Sequence, residues 1–375
     1  MSTGFSLKDH LFNAETVARL GQHFEDAGVF QARPFVAGVM AELAPLELME
    51  RVRMIADHLA THLPGDFEAA AQAIGSALPP PLDPTLSDDD FGHFIYAPLG
   101  VFVENKGIEG HVSTSLDLLE AITQRFSMEF SIRPFLNLWP GETLERMRDW
   151  VTHDHYHVRR LVSEGTRPRL PWGKAIALDD GARWPLLDAL HADPTRYVTR
   201  SVANHLNDLA RADPDGVIGR LQDWRVAGRQ SRPELDWMTR HALRGLSKAG
   251  HRGALKHLGY DPNVACTVHD LAVTPNVVAI GETVTIAMQV HAPAHAPLMI
   301  DYVIDFVKAN GSTAPKTFKL KVLKGRGAEP VLLEKKHHFK KGATTFTHYP
   351  GDHELHIQIN GRTCASVPFV LSSGQ

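Results

Sequence analysis

Three arginines stand forty residues apart in the middle of this 375-residue chain, at positions 160, 200 and 240. Around each of them the residues follow one pattern, with apolar side chains two positions before and two positions after the arginine, and a polar residue four positions after it. Residues four positions apart share a face of a helix. The spacing therefore predicts repeated helices, each with one apolar face and one face that carries an arginine. The aligned residues are Val158, Arg160, Val162 and Glu164, then Val198, Arg200, Val202 and Asn204, then Met238, Arg240, Ala242 and Arg244.

A period near forty residues with paired helices is typical of HEAT-like repeats, which stack into an α-solenoid. The arginines of such an array either line a binding surface or pair with acids such as Asp154 and Asp193 inside the stack. Position alone favours the second interpretation, because a sequence does not reveal which face is concave.

The distribution of charge favours a binding surface. Residues 1–130 hold 7 basic and 19 acidic residues, residues 131–261 hold 21 and 16, and residues 262–375 hold 11 and 8. Of the 21 basic residues in the middle segment, 18 are arginines, whose planar donor fork suits phosphate oxygens. The net charge of −4 thus conceals a basic helical segment that is suited to nucleic acid.

The hydrophobic pattern divides the chain in two. Apolar residues recur at helical spacing from about 14 to 78 and again from 115 to 261, on either side of the proline-rich and acidic segment 79–90. From about 264 onward, short alternating runs such as ETVTIAMQV are separated by turns, as in an antiparallel β-sandwich of immunoglobulin type. The sequence predicts a HEAT-like repeat domain over 1–261 and an immunoglobulin-like domain over 262–375.

Composition favours a cytoplasmic protein without a metal. No stretch is as long and apolar as a membrane span, and Lys8 and Asp9 stand where a signal peptide needs apolar residues. Two cysteines, Cys266 and Cys364, are too few for a disulfide framework or a zinc site. The histidine-rich run HDHYH at 153–157 lacks the spacing of a helical metal site, so we expect no metal there.

Several long strings in the chain resemble one family, the AlkC group of alkylpurine DNA glycosylases, which are relatives of the AlkD group. The resemblance covers nearly the whole chain, although Thr199 stands before Arg200 where a second arginine is expected. The strings are FSMEFSIRPFL (126–136), HVRRLVSEGTRPRLPW (157–172), YVTRSVANHLNDLARADPD (197–215), IDYVIDFVKANG (300–311) and YPGDHELHIQING (349–361).

The resemblance implies hydrolysis of the N-glycosidic bond of alkylated bases, chiefly 3-methyladenine. A base alkylated at N3 already carries a positive charge, so it leaves without a strong general acid. The enzyme then needs negative charge near the oxocarbenium ion of the sugar and a positioned water, and it needs no cofactor. A lyase activity is not expected, because residues 131–261 contain only three lysines.

Glu129 and Glu164 are the candidate catalytic carboxylates, because both lie inside the most characteristic strings and both are flanked by apolar residues. The alternative for each is an exposed helical ion pair, with Arg133 and Arg160 respectively, worth only about 0.3–0.5 kcal/mol. Asp208 is the reserve candidate.

The loop after Glu164 supplies the other candidates. Trp172 either stacks on a cationic base or sugar, as the aromatic residues of this superfamily are thought to do, or belongs to the core. The residues expected to bind the DNA backbone or to add hydrogen bonds are Arg160, Arg167, Arg169, Arg200, Asn204 and His205.

The predicted C-terminal domain holds basic clusters and no catalytic constellation, so we expect it to bind the DNA backbone or simply to expose a solvated strand face. The predicted partner of the whole protein, acting as a monomer, is duplex DNA that contains alkylated bases. Two other functions remain open: a non-catalytic scaffold for nucleic acid or protein, and an RNA-binding solenoid. The basic residues are Lys316, Lys319, Lys321, Lys324, Arg326, Lys340 and Lys341.

Overall fold

The structure is a computed structural model that describes residues 6–88, 90–325, 327–343 and 346–374. Arg326 lies outside the described residues. The chain divides into two compact units. The first unit comprises Met1–Asp208 with Trp224–Met238, and the second comprises Leu209–Asp223 with Thr239–Gln375.

The first two thirds of the chain are helical, as the sequence predicts. A short 3-10 helix, Phe94–Tyr96, lies between α5 and α6. The α-helices α1 to α16 span, in order, Leu7–Leu11, Ala14–Asp26, Ala32–Glu42, Leu48–His62, Phe67–Ala77, Ala97–Gly107, Val112–Thr123, Ile132–Leu138, Pro140–Trp150, Tyr156–Gly165, Asp180–Leu190, Arg196–Leu209, Pro214–Ala227, Arg232–Ala242, Arg244–Lys248 and Arg252–His257.

The forty-residue period corresponds to every second helix. Arg160, Arg200 and Arg240 lie in α10, α12 and α14, and the aligned apolar side chains beside them are all fully buried. Burial of these side chains accounts for the helical spacing in the sequence, because only the inward face of each helix has to be apolar. The buried residues are Val158, Val162, Val198, Val202, Met238 and Ala242.

The strands form two sheets. The three-stranded sheet has the order β1-β3-β6, and the five-stranded sheet has the order β2-β8-β7-β4-β5. Alternate residues of β3 point into the core between the sheets, including Val284, Ile286 and Met288. The strands β1 to β8 span Thr267–Thr274, Val277–Ala279, Thr283–His291, Leu298–Val307, Thr313–Leu323, Val331–His338, Gly351–Ile359 and Arg362–Ser372.

This order of helices followed by a β-sandwich confirms the predicted fold class. One pair departs from the expected antiparallel arrangement: the short strand β2 lies parallel to β8. This strand joins the five-stranded sheet, whereas β1 before it and β3 after it both lie in the three-stranded sheet. The domain boundary at residue 261 stays a prediction.

The turn between β7 and β8 is the Asn360-Gly361 pair, and both residues have positive φ. Gly361 also approaches Gly250 so closely that a Cβ atom at Gly361 would lie 2.6 Å from the Gly250 Cα. The amide of Asn360 binds the Met299 N–H at 2.8 Å and the carbonyl of Asp261 at 2.9 Å. The turn therefore fixes the segment after α16 to the edge of the sandwich.

Helices long and apolar enough to cross a bilayer do not occur in the part of the chain that the structure describes.

Candidate active site

Five charged side chains of the first unit form a continuous chain of ion pairs, which we call the carboxylate cluster. Its members alternate between acid and arginine, and they come from the turn before α8, from α10 and the loop after it, and from the end of α12. Residues predicted from the sequence as catalytic and as phosphate-binding thus meet in one place. The members are Glu129, Arg160, Glu164, Arg167 and Asp208.

Glu129 forms one end of the cluster. The Arg160 guanidinium donates to its carboxylate and, at 2.8 Å, to the Ser127 hydroxyl. The same guanidinium lies 4.7 Å from the centre of the Tyr197 ring, which gives it a cation–π contact. Burial alone would lower the pKa of Arg160, but the carboxylates of Glu129 and Glu164 outweigh it and raise that pKa. Arg160 therefore stays charged, and its partners inside the protein are acids.

Glu164 lies at the centre of the cluster, and its side chain is only 5% exposed. One carboxylate oxygen accepts a hydrogen bond from the Ser201 hydroxyl at 2.6 Å and lies 3.5 Å from Arg160, and the other accepts from Arg167. Burial would raise the pKa of Glu164, but Arg160 and Arg167 lower it below the usual range. Glu164 is consequently a buried carboxylate that is ionised at neutral pH.

Asp208 forms the other end. Its carboxylate accepts from the Arg167 Nε at 2.9 Å, so Arg167 bridges Asp208 and Glu164. The cluster contains three carboxylates and two guanidinium groups. Each carboxylate therefore has an arginine partner. The three acids are thus held close together, and each is compensated by a cation instead of being buried as an unpaired charge.

Arg133 pins the loop that follows α10. Its side chain is 1% exposed and donates to the backbone carbonyls of Gly165 and Arg167, each at 2.9 Å, and of Lys174. Burial is the main cause that lowers its pKa to about 10. The expected alternative, an i,i+4 pair between Arg133 and Glu129, is wrong, because α8 begins only at Ile132 and Glu129 lies in the preceding turn.

Trp172 lies on this pinned loop and is 66% exposed, so it is not a core residue. Its φ of 63° is in the left-handed region, which a bulky residue rarely adopts. The next residue has to be small, since a Cβ atom on Gly173 would lie 3.0–3.2 Å from Leu170 and Arg133. The loop thus presents an indole ring to solvent in a conformation that costs about 1–3 kcal/mol, as is common at functional sites.

The remaining predicted DNA-binding residues differ in exposure. Arg169 is exposed on the pinned loop, and Asn204 is half-buried on α12. Arg200 pairs with Asp88 and lies 5.7 Å from the centre of the Phe91 ring. His205 is fully buried, and its Nδ1 donates to the carbonyl of Ser163 at 3.0 Å. Because no surface of His205 reaches solvent, we no longer propose a direct contact with DNA for it.

The described residues of the acidic segment 79–90 pack against the same helices. The Tyr197 N–H donates to the carbonyl of Ser87 at 2.9 Å. His157 Nε2 donates to the carbonyl of Asp90 at 3.0 Å, and His155 Nε2 to that of Leu82 at 3.0 Å. The HDHYH run, whose His155 side chain caps α10, therefore anchors this segment.

Three side chains that contact the cluster were not identified from the sequence, namely Ser127, Tyr197 and Ser201. Each contacts a cluster residue from another segment of the chain. A weak signal was present, because Tyr197 and Ser201 are four positions apart on α12, within one of the characteristic strings. Arg159, in contrast, pairs with Asp193 at 2.6 Å. Pairing with an acid such as Asp193 was the alternative interpretation of the repeat arginines, which include its neighbour Arg160.

The chain is similar to known proteins over almost its whole length. Residues 267–373 match a family model described as the C-terminal Ig-like domain of the uncharacterised protein YhaZ. The uncharacterised protein YhaZ of Bacillus subtilis is 33% identical over 369 residues, which cover 96% of this chain and 98% of that protein. The structure of the alkylpurine DNA glycosylase AlkC of Pseudomonas fluorescens, bound to DNA with an abasic site analogue, matches with a TM-score of 0.87 and 32% identity over 98% of this chain and 100% of that one.

Proposed function

This chain belongs to the family of YhaZ and the AlkC alkylpurine DNA glycosylase, and from that premise we propose that it excises alkylated bases from duplex DNA. The reaction is hydrolysis of the N-glycosidic bond, with 3-methyladenine as the favoured base and an abasic site as the product. We propose that the protein acts as a monomer.

The observation that carries this proposal is Glu164, a buried carboxylate kept ionised by Arg160 and Arg167. The carboxylates of Glu129, Glu164 and Asp208 lie in one cluster, and negative charge held in place there would stabilise positive charge on the sugar as the base departs. Glu129 is the more exposed of the two glutamates, with 16% of its side chain accessible against 5% for Glu164. We therefore assign Glu129 to the sugar or to the attacking water, and we assign Glu164 to the electrostatic field behind it.

A cationic base leaves as a neutral molecule, so the mechanism calls for neither a cofactor nor a general acid. Water is the nucleophile, and the product keeps an intact abasic sugar. We propose a monofunctional enzyme. Lys174, the lysine beside the pinned loop, is 64% exposed and pairs with Glu104, so it is not a buried amine of the kind that acts as a nucleophile.

The exposed Trp172 is proposed to stack on the lesion, because a cationic base gains cation–π energy from an indole face. Arg169 and Arg200 are proposed to contact phosphates. Arg160 and Arg167 have carboxylate partners at the cluster, so we propose that their contribution to DNA binding is secondary to positioning those carboxylates.

The decisive experiment incubates the purified protein with duplex DNA methylated by a simple methylating agent and identifies the released bases. We expect 3-methyladenine in excess over other methylated bases. A Glu164→Gln variant that is still folded serves as the control for a contaminating glycosylase. If the wild-type protein binds the DNA tightly but releases no base after prolonged incubation, the result would instead support a non-catalytic scaffold.

A further inference from the structure

The two cysteines of the chain, 98 positions apart, touch each other in the second unit. Cys266 immediately precedes β1, Cys364 lies in β8, and their sulfur atoms are 3.6 Å apart. Both are free thiols. At this distance the sulfurs are in van der Waals contact, and a small rotation about the side-chain bonds brings them within bonding range.

An arginine completes the arrangement. Arg362, at the start of β8, donates to the Cys266 sulfur at 3.3 Å and to the carbonyl of Val264 at 3.0 Å. The hydrogen bond with Cys364 and the contact with Arg362 lower the pKa of Cys266. The hydrogen bond with Cys266 and burial raise the pKa of Cys364. The two thiols are thus unequal, and Cys266 is the one that ionises first.

Cys266 is also accessible. It lines an open cavity of about 390 Å³ together with Thr267, His291, Pro293 and Ala328. Both cysteines are half-buried. A small oxidant can therefore approach the Cys266 sulfur from the cavity.

We propose that Cys266 and Cys364 form a modification site that reacts with hydroperoxides and closes to a reversible disulfide. The Cys266 thiolate attacks the peroxide oxygen, the O–O bond breaks, and the leaving hydroxide or alkoxide takes up a proton. The Cys266 sulfenic acid is then attacked by the Cys364 sulfur, which loses its proton and expels water. Two thiols and one hydroperoxide give one disulfide, one alcohol or water, and one further water.

The product links the segment before β1 to β8 on the opposite sheet. The closed loop contains nearly all of the β-sandwich, and a cross-link over a long loop restricts the unfolded chain strongly. We therefore expect a higher melting temperature in the oxidised form and full reversal by a dithiol reductant. This site is independent of base excision.

The test uses the full-length protein with a small excess of hydrogen peroxide. Thiol titration should fall from two thiols per chain to none, and the intact mass should decrease by two hydrogen atoms. Cys364→Ser should stop at a sulfenic acid on residue 266 that dimedone traps, and Cys266→Ser should leave Cys364 unmodified.

Arg362→Gln should slow the oxidation of the wild-type thiol pair by roughly tenfold near neutral pH, because it reduces the thiolate fraction of Cys266. The matched control is Arg252→Gln, which removes another exposed arginine of the same unit, bonded to Asn263. The wild-type measurement alone decides the main claim, even if a variant misfolds. Two titratable thiols after oxidation, or disulfides that join separate chains, would overturn it.

Discussion

Glu129 and Glu164 differ in how many cations each carboxylate contacts. Glu164 contacts Arg160 and Arg167, whereas Glu129 contacts Arg160 alone. Glu129 therefore has a freer oxygen and greater exposure, while Glu164 is more tightly held. A carboxylate with free lone pairs is suited to orient a water, and a fully paired one supplies a fixed field.

Glu129→Gln and Glu164→Gln are each expected to slow base release on the order of a hundredfold or more, since a field aimed at an oxocarbenium ion acts chiefly in the transition state. Duplex affinity should change little. Single-turnover release from methylated DNA at saturating enzyme is the measurement. Glu104→Gln, which removes a carboxylate paired with Lys174 outside the cluster, is the control. Wild-type rates for both variants would refute the assignment.

His157 and His205 give the protein a pH-dependent stability. Both are fully buried, and burial is the main cause that lowers the pKa of each to about 3. An unfolded histidine has a pKa of about 6.5, so between these values the unfolded chain binds more protons than the folded one. Stability should accordingly fall as the pH drops below about 6.5, by up to about 1.4 kcal/mol per pH unit for each histidine.

Denaturant unfolding between pH 7 and pH 5 measures this slope. His205→Asn and His157→Gln keep a donor in the place of Nδ1 and Nε2 respectively, and each should flatten the dependence on pH. An unchanged slope in both variants would show that other groups govern it.

At the level of elements, the sequence predicts those features that depend on local spacing. The apolar period of α10, α12 and α14 follows from residues two to four positions apart, as do the alternation of β3 and the Arg160 to Glu164 pair. The links from Arg160 to Glu129 and from Ser201 to Glu164 span 31 and 37 positions and depend on how helices pack. Neither a period nor a propensity encodes such a contact, and for this reason Ser201 and the pinning role of Arg133 were missed.

The arginines of the repeat helices and of the loop after α10 fall into two kinds, those that pair with the carboxylates of the cluster and those proposed to contact phosphates. Arg160→Ala leaves Glu129 and Glu164 without a shared partner, so it should destabilise the protein by about 3 kcal/mol. Arg169→Ala should leave stability nearly unchanged, and Arg200→Ala, which removes the pair with Asp88, should lower it by at most about 1 kcal/mol. Each should lower the salt dependence of duplex binding by about one counterion. Thermal melts and binding titrations at several salt concentrations distinguish the two. An unaltered salt dependence in both would remove Arg169 and Arg200 from the interface.

Across the whole molecule, basic residues are plentiful in two separate regions, the helical segment and the β-sandwich. Lys319 and Lys321 are exposed at alternate positions of β5, and Lys336 and Lys340 are exposed in β6 and just after it. We propose that these lysines contribute DNA affinity and no chemistry.

Replacing these four lysines with glutamine in the intact chain should weaken duplex binding and reduce its salt dependence. The single-turnover rate at saturating enzyme should stay the same. Lys106→Gln, an exposed lysine of the first unit, is the control. If affinity is unaffected at physiological salt, the sandwich has another role, such as binding a protein partner.

The acidic segment before α6 also affects how the protein folds. Its contacts with His155, His157 and Arg200 join positions 73, 67 and 112 residues apart. Contacts so distant along the chain require loop closure before they yield any stabilisation, and they slow folding. We expect α10 and α12 to form as helices early and to acquire their fixed arrangement only when this segment docks. Arg200 would then form its native contact with the acidic segment at a late step, after most helices of the first unit are complete.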